Sequence, residues 1–292
     1  MRRFLLLPLL LALLAACSND EGDAANTPLS FTGSDGVTVS FDTPPKRIVS
    51  LAAHATEIFC QVGAAQSLVA VDKFANCPLD STAKPAVDSF QPSVEAIVAY
   101  HPDLVYVWYD PGDLAQSLRN AGVKVLFVEV PDNLAGVFEN IELVGRLTGR
   151  DKEAEALVAQ MKARQNDITE EIKDVAKGPR VFHELDKELF TVRSDTFIGE
   201  LYRLLKADNI ADKAPSAFPQ LSAEAVVAGD PQVIVLTDGE TPESVKARPG
   251  WSGISAVRND RICEVDGDLT SRPGPRIMEG LEALYECLYE EK

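Results

Sequence analysis

The chain has 292 residues, of which 46% are hydrophobic, 25% charged and 7% aromatic, a packed globular composition that excludes disordered, collagen-like and coiled-coil classes. Its 28 Lys+Arg against 45 Asp+Glu give a net charge of −17. Such a surface repels nucleic-acid phosphates, and no basic run or nucleic-acid-type aromatic motif supplies a local exception.

Arg2 and Arg3 precede a run from Phe4 to Ala16 that contains no charge. A basic start followed by an apolar stretch too short to span a bilayer is an export signal. It ends Leu14-Ala15-Ala16-Cys17, and a Cys at the cut resembles the bacterial lipobox, in which the thiol is acylated and becomes the new N-terminus. Residues 1–16 are therefore expected to be a lipoprotein signal peptide and Cys17 the lipidation site. Their removal takes away two arginines and no acid, moving the net charge from −17 to −19. Residues 17–28 are small, polar and acidic, and read as a solvated tether between the lipid anchor and the body. That places the body outside the cytoplasm, anchored to the cell membrane. Four further cysteines, Cys60, Cys77, Cys263 and Cys287, allow three disulfide pairings. Cys60 with Cys77 and Cys263 with Cys287 keep each bridge within one half of the chain.

A hairpin is expected over 29–41, turning at Asp35-Gly36. Short apolar runs at 47–51, 68–72, 104–108 and 123–128 then alternate with helical spacings at 55–62, 94–100 and 114–121. This βαβα order predicts a parallel sheet covered on both faces. From 134 to 147 and from 151 to about 176 there are no strands. In the second run Leu157, Val158, Met161, Ile168, Ile172 and Val175 recur at helical steps, predicting one long helix that Gly178-Pro179 ends. Strands are expected again at 180–184, 189–192, 233–237 and 261–265, with helices near 196–206, 222–229 and 276–289. The fold class is therefore α/β: two lobes, each with a central parallel sheet, over 29–148 and 178–292, joined by one long α-helix over 149–177.

An internal repeat supports the two lobes. Residues 93–107 (SVEAIVAYHPDLVYV) align without gaps on 222–236 (SAEAVVAGDPQVIVL). Each copy reads as a Ser N-cap, a short helix, a Pro-containing turn and a buried strand, with Glu95 and Glu224 both two residues past the Ser.

These residues resemble the extracytoplasmic solute-binding proteins of ABC importers, and most of all the group serving vitamin B12, haem and iron–siderophores. The resemblance runs from about residue 29 to the end. It is carried by PPKRIVSL at 44–51, ATEI at 55–58, the Glu95 segment through HPDLV, TFIGEL at 196–201, the Glu224 segment and RPGPR at 272–276. It implies the class III periplasmic-binding-protein fold, with ligand held in the cleft between the lobes. It also implies that Glu95 and Glu224, one per lobe, dock on arginines of a membrane permease that works with an ATPase.

Ligands of open parallel sheets sit beyond the carboxyl ends of the strands. There the sequence places Phe74, Phe90, Trp108, Tyr109 and Phe218, aromatics suited to a broad, mostly uncharged macrocycle, together with His54 and Arg272. The resemblance implies that Phe90, Trp108 and Phe218 line the cleft. The expected ligand is a corrinoid, most of all cobalamin. A ferric siderophore would call instead on Arg193, Arg272 and Arg276, and haem on an axial Tyr109 or His183. A surface sensor or adhesion module on the same fold is a lesser alternative. Three scattered histidines suit no metal site, and there is no G-x-S-x-G, P-loop or G-x-G-x-x-G. Neither catalysis, a resident cofactor nor oligomerisation is expected.

Overall fold

The computed structural model describes residues 28–76 and 84–290. The signal peptide, Cys17, nearly all of the tether and Cys77 lie outside the described residues. Strand β1 (Leu29–Thr32) pairs antiparallel with β2 (Thr38–Phe41). Gly36 takes a φ of 77° in the turn between them, a region open to glycine because it has no Cβ. Alternation along the pair buries Phe31, Val39 and Phe41.

The N-terminal sheet holds β3 (Ile48–Leu51), β4 (Leu68–Asp72), β5 (Ala86–Val87), β6 (Leu104–Val107) and β7 (Val125–Phe127). Their spatial order is β5-β4-β3-β6-β7, and all neighbours are parallel. Between them run α1 (Ala53–Gln61), α2 (Val94–Val98) and α3 (Leu114–Asn120). Every residue of β3 and β6 is buried. Ile48, Leu104 and Tyr106 pack in one core, whereas Val49, Leu51, Val105 and Val107 pack with Leu114 and Leu118 in another. A continuous apolar run serves both faces because successive side chains point opposite ways.

Helices α4 (Leu134–Thr148) and α5 (Asp151–Glu171) follow. Gly149 caps α4 at φ 67°, and Gly145 lets the pair close, since a Cβ there would lie 2.5 Å from that of Ala154. The long helix is shorter than its periodicity predicts. It ends at Glu171, about 32 Å from its start, and Ile172 is buried beyond it as the cap residue. The apolar spacing continues because Ile172 and Val175 still pack against the core, outside the helix.

The C-terminal sheet has the order β11-β10-β8-β9, also parallel throughout, built from β8 (Arg180–Glu184), β9 (Asp208–Asn209), β10 (Val233–Leu236) and β11 (Ile262–Glu264). Its helices are α6 (Phe197–Leu204), α7 (Ala223–Gly229), α8 (Pro242–Lys246), α9 (Ser255–Arg258), α10 (Gly267–Ser271) and α11 (Ile277–Tyr289). The strand expected at 189–192 does not form. Leu189 sits at φ 66°, which breaks the extended run, and only the bridge Phe190–Gln220 remains. A disulfide between Cys263 and Cys287 ties β11 to α11, with Cα atoms 6.0 Å apart.

The lobes share one hydrophobic core, in which Ile58 and Val144 belong to the same cluster as Met161, Leu201 and Leu281. They are also joined by charge. Glu57 on α1 is 2% exposed and accepts hydrogen bonds from Arg272 Nη1 and Arg276 Nη2, each at 2.8 Å. Removing one partner of a buried ion pair strands the other charges. Glu57→Ala should therefore lower unfolding free energy by about 3–5 kcal/mol in urea titrations, more than the about 0–1 kcal/mol expected for the exposed pair Arg150–Glu153.

Candidate functional site

The site lies where the carboxyl ends of β3, β4, β5 and β6 meet the loop after α10. A cavity of about 260 Å³ is lined there by His54, Asp72, Phe74, Ser89, Phe90 and Trp108 from the N-terminal lobe. Ser271, Arg272 and Pro273 line it from the other lobe. Each aromatic lies one to three residues past the end of its strand, so the strand buries its own residues and presents the ring to the cleft.

The rings form a chain. Phe90 is its hub, with centroids 6.1 Å from Phe74, 6.1 Å from Trp108 and 5.7 Å from Tyr109. Trp108 in turn meets His54 edge-on at 6.3 Å and Tyr109 at 5.7 Å. Phe74 and Phe90 are each 50% exposed and Tyr109 is 44% exposed, a large apolar area left open to solvent. Polar contacts fix the loops that carry these rings. Asp72 Oδ1 accepts from the Phe74 N–H at 2.8 Å, and Asp88 Oδ1 accepts from the Phe90 N–H at 3.0 Å. Lys73 pairs with Asp88 at 2.8 Å while lying 4.8 Å over the Phe74 ring. The Lys73 hydrogen bond, then that from Phe90, holds the Asp88 carboxyl below the usual range.

Other sequence-predicted residues are placed elsewhere. Phe218 is 55% exposed on the C-terminal lobe but meets none of these rings among the described residues. Arg272 lines the cavity, yet its guanidinium is engaged by Glu57 and by Asp268 at 2.7 Å. Arg276 also serves Glu57, and Arg193 binds Asp195 and the Ala214 carbonyl. His183 is fully buried with Nδ1 2.7 Å from the Tyr202 hydroxyl, which removes it as an axial haem ligand. Burial lowers its pKa to about 4. Burial, then the charge of Arg272, lowers that of His54 to about 4 as well, so both are neutral near pH 7.

Glu95 and Glu224 are exposed in the first turns of α2 and α7. Ser93 and Ser222 cap those helices, accepting from the N–H groups of Ala96 and Ala225. The carboxyl of Glu224 is held below its ordinary range by its backbone N–H and by Ser222. The repeat extends to backbone geometry. His101 and Asp230, at matching positions, have φ of 49° and 42°. Arg47 donates to the carbonyls of Tyr100 and His101 as Arg180 does to those of Gly229 and Asp230.

Sequence reasoning missed Asp72 as a cavity residue and the Glu57–Arg272–Arg276 cluster. A Glu inside a helix and two Arg beyond α10 carry no local signal of contact, since 215 positions separate Glu57 from Arg272.

Among the described residues no helix is long and apolar enough to cross a membrane. Residues 48–269 match the model of the periplasmic binding protein family, so the chain belongs to that family. It is 33% identical over 295 residues to an uncharacterized ABC transporter substrate-binding lipoprotein, YvrC, of Bacillus subtilis, covering 96% of this chain and 94% of the relative. It is 29% identical over 286 residues to a cobalamin-binding protein of Halobacterium salinarum, covering 92% and 76%. The crystal structure of a possible iron-binding periplasmic solute-binding protein from Staphylococcus epidermidis superposes with a TM-score of 0.76 at 30% identity, covering 85% of this chain and all of that one. The protein is thus the non-enzymatic substrate-binding component of an ABC importer, working outside the cytoplasm with a permease and its ATPase.

Because His183 titrates at about 4 in the fold and near 6.5 unfolded, the unfolded chain binds the extra proton between those values. Stability is full above about pH 6.5 and falls as pH drops towards 4, by about 1.4 kcal/mol per pH unit for this group. The stability gap between the protein and His183→Gln, read from urea midpoints, should therefore narrow as pH is lowered from 6.5 to 4.5. A constant gap would contradict this assignment.

Proposed function

We propose that this chain captures a corrinoid, cobalamin itself, between its lobes and delivers it to the permease. The observation that carries the reading is the open ring chain of Phe74, Phe90, Trp108 and Tyr109. Rigid aromatics give a broad macrocycle a large contact area with little rotamer entropy lost on binding. The relative named as a cobalamin-binding protein supports this reading. A ferric siderophore or haem is the second reading, favoured by the structural neighbour described as a possible iron-binding protein. The ion-paired state of Arg193, Arg272 and Arg276 argues against an anionic siderophore, which needs guanidinium groups at liberty.

Glu95 and Glu224, one on each lobe's rim, are the groups that would register the protein on basic residues of the permease. Cys17 carrying several acyl chains would hold the body at the membrane through the tether, since one acyl chain alone would bind only marginally. The shared core makes the lobes stiff partners, so closure on ligand would be small. The protein would act as a monomer.

Titration of the mature chain with cyanocobalamin, haemin and a ferric siderophore tests this reading through tryptophan fluorescence. Trp108 reports on the cleft, while Trp251 is buried against Phe182 in the C-terminal lobe. Cyanocobalamin should quench and bind tightest, and Phe90→Ala should weaken it by about thirtyfold, the equivalent of about 2 kcal/mol. The double variant Glu95→Ala/Glu224→Ala should bind as before but fail to support uptake in cells; normal uptake would remove the docking assignment.

A further inference from the structure

The cavity beneath the rings is polar in a way that an aromatic cleft does not require. Three buried side-chain atoms, His54 Nε2, Asp72 Oδ2 and Ser89 Oγ, have no hydrogen-bond partner among the described residues. Their residues are only 5%, 3% and 3% exposed, and all three line this cavity. Seven such atoms occur among the described residues, so one small cavity gathers nearly half of them. A buried polar atom without a partner is destabilising, and native folds keep few of them without a purpose.

The three groups define the chemistry that would satisfy them. Asp72 Oδ1 already accepts from the Phe74 N–H, which fixes the carboxylate and leaves Oδ2 as a pure acceptor. Ser89 can donate or accept. His54 is neutral near pH 7 and offers Nε2 in either role, according to tautomer. A ligand carboxylate, an acceptor alone, would leave Asp72 Oδ2 unsatisfied and face it as a like charge, while the Arg272 guanidinium is already paired with Glu57 and Asp268. A ligand ammonium would meet the Arg272 guanidinium, which lines the same cavity. An uncharged group with both N–H donors and a carbonyl acceptor satisfies the set. At about 260 Å³ the space suits a substituent, while a macrocycle would lie outside on the exposed rings.

We propose that Asp72, Ser89 and His54 form an amide subsite that hydrogen-bonds a carboxamide side chain of the ligand and rejects a carboxylate in its place. The proposal rests on the corrinoid reading for its ligand, a macrocycle whose rim carries primary amides, and adds the basis on which the cleft separates it from haem, whose rim carries carboxylates.

Calorimetric titration of the mature chain and of its Asp72→Asn variant tests this. The probes are cyanocobalamin, its monocarboxylic acids with one peripheral amide hydrolysed, haemin and the uncharged ferric trihydroxamate ferrichrome. Asp72→Asn is isosteric and retains the acceptor for the Phe74 N–H; thermal unfolding confirms that it is folded. At least one monocarboxylic acid should bind the native chain about ten- to a hundredfold more weakly than cyanocobalamin. Asp72→Asn should reduce that ratio to within about threefold, because the like charge is gone. Monocarboxylic acids that all bind like the parent, or a ratio unchanged by the substitution, overturn the subsite. Failure of cyanocobalamin to bind overturns the corrinoid reading separately. In that event ferrichrome binding that weakens in Asp72→Asn upholds an amide subsite, whereas tight haemin binding, or no binding by any probe, overturns it.

Discussion

Glu57 is the contact on which the geometry of the cleft depends. It sits inside α1, at the carboxyl end of the first strand of the N-terminal sheet, and reaches across to two arginines of the other lobe. Its burial would be unfavourable without them, and their guanidinium groups would lack a partner without it. The pairing brings the C-terminal loop so close that a Cβ on Gly274 would lie 3.4 Å from the Glu57 carboxylate. That same loop supplies Ser271, Arg272 and Pro273 to the cavity. Arg272 also acts on the site through charge, since it adds to burial in keeping His54 neutral. One carboxylate therefore holds the lobes together and places one wall of the cavity.

The rest of the joint is apolar. Helices α4 and α5 carry Val144, Val158 and Met161 into a core that continues into α6 and α11. Polar contacts reinforce it: Glu200 on α6 accepts from the Leu134 N–H at the start of α4, and Arg164 on α5 pairs with Glu282 on α11. A hinge built this way resists opening, because separation would expose the shared core as well as break Glu57 from its arginines. On the proposed reading, affinity would depend on rigid rings and on the polar floor of the cleft rather than on a large closure.

The repeated unit solves a second problem, that of placing an exposed carboxylate at a defined point on each lobe. The Ser cap fixes the first turn, and a left-handed residue at His101 or Asp230 turns the chain into the next strand. An arginine at the start of the neighbouring strand, Arg47 or Arg180, then clamps the carbonyls of that turn. The same physics is used twice, so Glu95 and Glu224 occupy equivalent local settings even though the lobes differ elsewhere. Asp103 and Gln232 show the degree of tolerance: one accepts through a carboxylate, the other through an amide, from the backbone of the same arginine position.

The amino-acid sequence by itself determined the alternation of strands and helices, the two parallel sheets and the candidates for the rings. All of these are local or periodic: a run of β-branched residues, a helical spacing, a Ser before a helix, an aromatic just past a strand. It placed β4 and β8 at their observed bounds for that reason. Where a local signal had a tertiary competitor it misled, as at 189–192, where Leu189 turns left-handed, and beyond Glu171, where apolar spacing persists in turns. Only the tertiary structure decided which aromatics meet, separating Phe218 from the Phe90 chain. It alone paired Glu57 with Arg272 and Arg276, and gathered Asp72, Ser89 and His54 around one cavity. Those contacts join residues far apart in the chain through burial and charge, and neither leaves a period in the sequence.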